Sequence, residues 1–465
     1  MSFFTRAAKT ATFVAASAQV AQAYWLMAAT NNLVQQRMDP IVNPGAVSGH
    51  NHNFVGGSNL DFNLSTASLR ESECTSIPVA EDNSVYWHPE LYFQWANGSF
   101  TSVDDYLFDD DAATAGVQAF PDDFRMISGE TTLRSYNASS FAQQAVTFLC
   151  IAEDGSTTKT SQLPANECAF SMRAQINFPK CWDGVNVDSD DHKSHVAFPS
   201  GGPDSGTCDD PNFPVTLPRI FMEVYYSTSG FDWSQGKNTS QPFVYSNGDP
   251  TGFGYHADFF NGWKSGVLQN AVDGCNCNEY GDPTCCVDAG IFTMQASGST
   301  CSISAAIEET VLGELASLPG NNPVVGFGAA AEMLTDTVVP AILSPVIVTK
   351  DGTASSGTAT VEKAAYTLAS AASSVVSAAT SSAASEATHA VSAAGLAVVT
   401  SSEASATSTS AAATATSSKT CKVSKKREEE KKRSIHTDSF AKRQHRQRLG
   451  RAPRPHAAAF TDKSF

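Results

Sequence analysis

Basic side chains are scarce over most of this chain. Between Tyr24 and Lys350, 12 Lys and Arg stand against 38 Asp and Glu, a net of −26. Such a surface repels phosphate backbones, which argues against nucleic acid as a partner and suits neutral or cationic material. Long apolar runs are missing too. The stretch from Thr10 to Val20 is too short and alanine-rich to span a bilayer, and 321–350 is broken by Glu332, Asp336, Pro340 and Pro345. No transmembrane segment is therefore expected. No Gly-Lys-Ser/Thr follows Gly252 and Gly254, which argues against a phosphate loop. Helical periodicity is confined to Ser304 through Leu318, where Ile307, Val311, Leu315 and Leu318 recur every three or four residues before Pro319-Gly320.

The remaining features point outward from the cell. Arg6 and Lys9, the short apolar stretch and Ala21-Gln22-Ala23 form a secretory signal over residues 1–23, with Tyr24 as the first mature residue. Asn63, Asn97, Asn137 and Asn238 head N-glycosylation sequons. Of eleven cysteines, ten lie between Cys74 and Cys301, namely Cys74, Cys150, Cys168, Cys181, Cys208, Cys275, Cys277, Cys285, Cys286 and Cys301. Ten suit five disulfides in an oxidising compartment, with connectivity open. The four thiols from Cys275 to Cys286 would suggest zinc in a cytosolic chain, whereas an export signal favours disulfides.

Short aromatic and β-branched runs such as Glu90–Trp95, Gln143–Leu149 and Ile220–Tyr226, set between Gly, Pro and Asn/Asp turns, predict a mainly β fold. We expect a single sandwich or jelly-roll-like domain with long loops over 24–320 and a connector over 321–350. An Ala/Ser/Thr-rich disordered stalk follows over 351–420, then a basic disordered tail over 421–465. The tail's Lys425–Arg433 run reads as a solvated charged end or as an attachment to anionic wall material.

Histidine marks the candidate chemistry. His50 and His52 in Ser48-Gly-His-Asn-His52 are two apart, so a strand aims both imidazoles the same way. Asp188, Asp190, Asp191, His192 and His195 crowd a second polar segment, and His256 with Asp258 forms a third. Imidazole and carboxylate are the groups that hold divalent metals and move protons. Candidate catalytic residues are His50, His52, His192, His195, His256, Asp191 and Asp258. His50, His52, His256 and Asp188 are candidate ligands for a divalent metal ion. Arg125, Tyr255, Trp263 and Trp182 are candidates for substrate binding. The bland alternatives are an Asx-rich loop capped by its own side chains, a salt-bridged structural arginine and ordinary core aromatics.

Several blocks together resemble a fungal secreted family, the domain of unknown function DUF1996. They are Asp39-Pro-Ile-Val-Asn-Pro-Gly45, Ser48–His52, Tyr86-Trp-His-Pro-Glu-Leu-Tyr-Phe93, Phe124–Gly129, Cys181–Asn186, Asp191–His195, Gly248–Gly252, His256–Phe259 and Asn261-Gly-Trp263. The resemblance covers roughly Arg37 to Cys275 and implies secretion, with some relatives carrying wall-associated modules. It assigns no catalytic role. Members carry a second cysteine soon after the one matching Cys74, and Thr75-Ser-Ile77 lacks it, which leaves the partner of Cys74 open.

Two functions compete. The first is an extracellular carbohydrate-active enzyme working on cell-wall or plant polysaccharide through a His/Asp pocket. The second is a non-catalytic wall- or glycan-binding or structural protein. Histidine-brace copper chemistry is disfavoured because the expected mature terminus is Tyr24 rather than histidine.

Overall fold

Two antiparallel sheets face each other across the main core of this computed structural model, which describes residues 23–113, 116–275, 277, 281–332, 339–344 and 346–359. The larger sheet orders its strands as Ala23–Ala28, Asp105–Ala113, Phe221–Tyr226, Ser171–Asn177, Val146–Ile151 and Thr157–Thr160. The second orders Val34–Met38, Val47–Gly56, Val85–Pro89, His256–Phe260 and Arg125–Gly129. Trp25, Phe148, Ile176, Met222 and Val224 from the first sheet meet Val55, Tyr86, Met126, Ala257 and Phe259 from the second in one core. The protein is mainly β, as its short aromatic runs predict.

The second sheet buries both faces. Its alternate residues Val34, Phe54, Trp87, Ile127 and Phe260 join Ile303, Ile307, Val346 and Val348 in a second core behind it. A strand with two buried faces loses the apolar/polar alternation of a solvated sheet. That explains how His52, Asn53 and Phe54 can all be buried side by side.

All ten cysteines from Cys74 to Cys301 pair, as Cys74–Cys301, Cys150–Cys168, Cys181–Cys208, Cys275–Cys286 and Cys277–Cys285. Five bridges belong to an oxidising compartment. Cys74 therefore finds its partner 227 residues away. Among the described residues no helix is long and apolar enough to cross a membrane. Of the leader expected at 1–23 only Ala23, which opens the first strand, is described; of the stalk expected at 351–420 only 351–359 is described, and the expected basic tail lies outside the described residues.

Two expectations change. The periodic stretch 304–318 forms no helix; it runs irregularly to a short strand, Glu314–Leu315, that pairs with Phe100–Ser102. Ile307, Val311 and Leu318 are buried all the same, so burial on several sides produced a spacing that imitates a helix. The connector 321–350 also contributes structure. Val346–Lys350 pairs with Cys301–Ile303 on one side and Thr353–Ala359 on the other, so the folded unit continues to about residue 359.

A chain ending at Gly320 should accordingly melt several degrees below one ending at Ala359, because it strips Val346 and Val348 from the second core. Equal melting temperatures would show that this strand adds nothing. A second outcome follows from Asp82, buried at the entry to the Val85–Pro89 strand, where it accepts from the Ser84 amide and the Tyr86 hydroxyl. Burial pushes its carboxyl up to about 6. The folded state then holds a proton that the unfolded chain releases near pH 4, so this group's contribution falls as pH rises from about 4 to 6. Asp82→Asn, which removes the charge and keeps an acceptor, should gain on the wild type across that window, by on the order of 2 kcal/mol. Melting curves at pH 4, 5, 6 and 7 measure the gap; one that stays constant rejects the assignment.

Candidate metal centre

His50 and His52 lie on the Val47–Gly56 strand and point to its second-core face, the side shared by Phe54. His256 opens the His256–Phe260 strand, on the same side as Asp258 and Phe260. The Val85–Pro89 strand runs between the two. Past its end the three imidazoles meet, with His50 Nε2 3.1 Å and His52 Nε2 3.3 Å from His256 Nε2. They are 3 %, 0 % and 2 % exposed. Three ligand atoms within 4.8 Å of one another form a candidate metal-binding cluster.

Hydrogen bonds at the far side of two rings decide what these nitrogens offer. His52 Nδ1 lies 2.8 Å from the Met38 carbonyl oxygen and His256 Nδ1 lies 3.1 Å from that of Gly254. A carbonyl only accepts, so both Nδ1 atoms carry the proton, and in the neutral ring each Nε2 presents a lone pair. Burial, reinforced by the neighbouring imidazoles, holds His50 and His52 well below the usual histidine range. Burial takes His256 down to about 4, partly opposed by the Gly254 carbonyl. Neutral rings place the His52 and His256 lone pairs face to face. A cation between them turns that repulsion into coordination. Ligands about 2.0–2.1 Å from a tetrahedral ion stand about 3.3 Å apart, which is the spacing found.

The two orienting carbonyls are themselves fixed. Met38 closes a strand whose pairing with Val47–Gly56 shifts register between Gln36 and Met38. Gly254 ends a loop wound around buried Asp249, which accepts from the Thr251 amide and hydroxyl and the Gly254 amide. Arg134 braces the same loop, donating to the carbonyls of Thr131, Leu133, Asn247 and Val325. Carbonyl partners of this kind set the tautomer and aim of a ligating ring. Gly129, at φ 86°, lets the Arg125–Gly129 strand close on His256; a Cβ there would collide with the Tyr255 carbonyl and lie 2.7 Å from the His256 Cα.

Two carboxylates accompany the histidines. Asp258 is fully buried and neither of its oxygens has a hydrogen-bond partner among the described residues. Burial, then the charge of Asp39, pushes its carboxyl well above the usual range. Asp39 accepts from the Ile41 and Val42 amides, and burial raises it to about 6. His50 Nδ1 is buried without a partner as well.

The other expected site residues lie elsewhere. Asp188 is spent on Arg125 and on His192 Nδ1, at 2.8 and 2.7 Å, and is corrected from metal ligand to ion-pair partner. His195 bonds the Arg125 carbonyl and the Ser189 hydroxyl, so both its nitrogens are engaged. Asp191 accepts from the Ser189 hydroxyl and the Lys193 and Ser194 amides, the self-capped Asx loop of the bland reading. The second polar segment thus folds on itself and leaves the three-histidine cluster to others. Tyr255, Trp182 and Trp263 are buried: Tyr255 packs beside Tyr245, Trp182 donates to the Asn186 carbonyl, and Trp263 stacks on Phe292. Their faces are closed to a sugar. Arg125 is ion-paired with Asp188 and sits over the Phe260 ring.

Reasoning from residue types missed Asp39, Arg134 and Asp249 as parts of the centre. Asp39 and Asp249 stand inside the family-like blocks, but nothing in their spacing reveals that they are buried and hold the chain next to the orienting carbonyls. His88, the remaining histidine of the described residues, faces the main core, 3.3 Å from Asp105 and from the Tyr226 hydroxyl.

The fold and the site define a disulfide-stapled, mainly β domain with a buried three-histidine centre. Residues 39–263 match the family model described as a domain of unknown function (DUF1996). No curated protein and no solved structure matches it.

His195→Ala should cost about 1–3 kcal/mol by removing the partner of the Arg125 carbonyl, while the Ser189 hydroxyl keeps its bond to Asp191. It should leave the His50–His52–His256 cluster intact. Thermal melting reads the first effect and the visible absorption of cobalt(II) added to the protein reads the second; a lost cobalt spectrum would place His195 in the coordination shell.

Proposed function

We propose that this is a secreted metal-dependent enzyme, with one transition-metal ion held by His50, His52 and His256, acting on extracellular polysaccharide. The observation that carries the reading is the 3.3 Å contact between two Nε2 atoms whose rings both spend their proton on a carbonyl. Three imidazoles suit zinc or copper better than calcium or magnesium. Such an ion supplies a nucleophilic water or polarises a substrate oxygen. Asp258, two residues along the strand from His256 and without a hydrogen-bond partner among the described residues, is the carboxyl group best placed by sequence for proton transfer, with the charge of Asp39 acting on it. Support for polysaccharide comes from the export features and from a surface of net charge −26, which suits neutral polymers.

Burial of all three rings favours a second reading, a closed structural metal site in a non-catalytic wall- or glycan-binding protein. The two are separated by metal analysis and a polysaccharide panel. The secreted chain should carry close to one zinc or copper ion, and His52→Ala and His256→Ala should each lose it. Metal-loaded protein should release soluble products from a neutral polysaccharide and stripped protein should not. Bound metal with no product from any polymer, and a large fall in melting temperature on stripping, would establish the structural reading. No metal in the wild type after exposure to either ion would end both.

A further inference from the structure

A cleft of about 290 Å³ is bordered by Gly129, the cross-strand partner of His256, and by Glu130, Tyr136, Gln143, Lys193 and Phe253. We propose that it is a binding subsite for one neutral sugar ring of a glycan chain, seated on Tyr136 and Phe253 and presented toward the three-histidine centre. The proposal rests on the reading above for what happens after binding, and on the cleft alone for binding itself.

Three observations converge on this ligand. Tyr136 and Phe253 stack at 5.7 Å with their planes 21° apart, and Phe327 meets Phe253 edge-on at 5.8 Å. Tyr136 is 38 % exposed and Phe327 68 % exposed, so this row of rings reaches the surface, unlike Tyr255, Trp182 and Trp263. An aromatic face offers the apolar side of a pyranose a large contact at little cost in side-chain entropy. The volume stands at the low end of the range for ligand sites, about 300 Å³, which suits one ring and not a larger body.

Charge narrows the class. The charged pair at the cleft, Lys193 and Glu130, neutralises itself at 2.9 Å. It leaves donors and acceptors for hydroxyls and no net charge to attract a polyanion. The acidic surface around it repels one. Position gives the cleft its purpose. Gly129 is the direct cross-strand partner of His256, so whatever lies over Gly129 is one strand from the centre.

One competitor is built into the chain, because Asn137 heads a sequon next to Tyr136. An N-glycan there could fold back over the same rings. The test uses the secreted full-length protein and cellohexaose as probe, by isothermal titration calorimetry, on wild type, Tyr136→Ala, Phe253→Ala and Asn137→Gln. Both aromatic variants should weaken binding tenfold or more, with metal content unchanged, and Asn137→Gln should bind as the wild type does. Stripping the metal should leave cellohexaose binding intact, so the subsite can stand even if the enzyme reading falls. The proposal is overturned if Tyr136→Ala and Phe253→Ala bind cellohexaose as the wild type does. It is equally overturned if the wild type shows no binding at millimolar probe, or if binding appears only after Asn137→Gln, which would make the chain's own glycan the occupant.

Discussion

The arrangement of the molecule turns on two lone pairs, those of His52 Nε2 and His256 Nε2, that face one another in a buried space shared with His50. Neutral imidazoles are tolerated in a core if each nitrogen finds a partner. Here two of the three have that partner on the Nδ1 side only, and the Nε2 side is turned inward on its neighbours. Nothing in the histidines themselves favours this. It is imposed by the register shift that sets the Met38 carbonyl and by the Asp249-centred loop that sets the Gly254 carbonyl. A shape so costly for the bare side chains is what a preorganised cation site requires.

Rigidity at the centre comes from burial rather than from cross-links. Four of the five disulfides close short loops between Cys150 and Cys286, away from the His50–His52 strand. The fifth, Cys74–Cys301, lies in the core behind the second sheet. The strands that carry the histidines are held between two cores, with the main core on one face and Phe54, Trp87 and Phe260 on the other. The opposite face of the same sheet is polar in places too, where His88 meets Asp105 and Tyr226. Buried polar side chains on both faces fix register closely, since a one-residue slip would exchange every partner.

Much of this was legible in the sequence, and the failures share a cause. The mainly β class follows from short aromatic runs. That His50 and His52 face one way follows from a spacing of two on a strand. The encounter with His256 is different: it spans 206 residues, and only the grouping of histidines in polar, glycine-rich segments hinted at it. The helix expected at 304–318 and the substrate-binding roles expected of Tyr255, Trp182 and Trp263 met burial for one reason. Both inferred a face from the kind of residue, and burial on several sides makes periodic apolar residues and large aromatics look alike wherever they point. The exposed aromatics Tyr136 and Phe327 lay outside the histidine motifs and drew no notice on that account.

The Asp188–His195 segment shows how a motif can matter without supplying a ligand. The Arg125 and Ile127 amides donate to the Val187 and His192 carbonyls, and His195 Nε2 donates to the Arg125 carbonyl. The segment therefore covers the free edge of the Arg125–Gly129 strand, the last of the second sheet. An uncovered edge offers unpaired groups to water or to another chain. Lys193, carried on this cover, reaches Glu130 at the mouth of the cleft. Its polar residues thus wall off the edge of the strand that pairs with His256. Their histidines and aspartates are consumed in keeping that wall folded, so a dense cluster of ligand-type residues in sequence ends up coordinating its own loop.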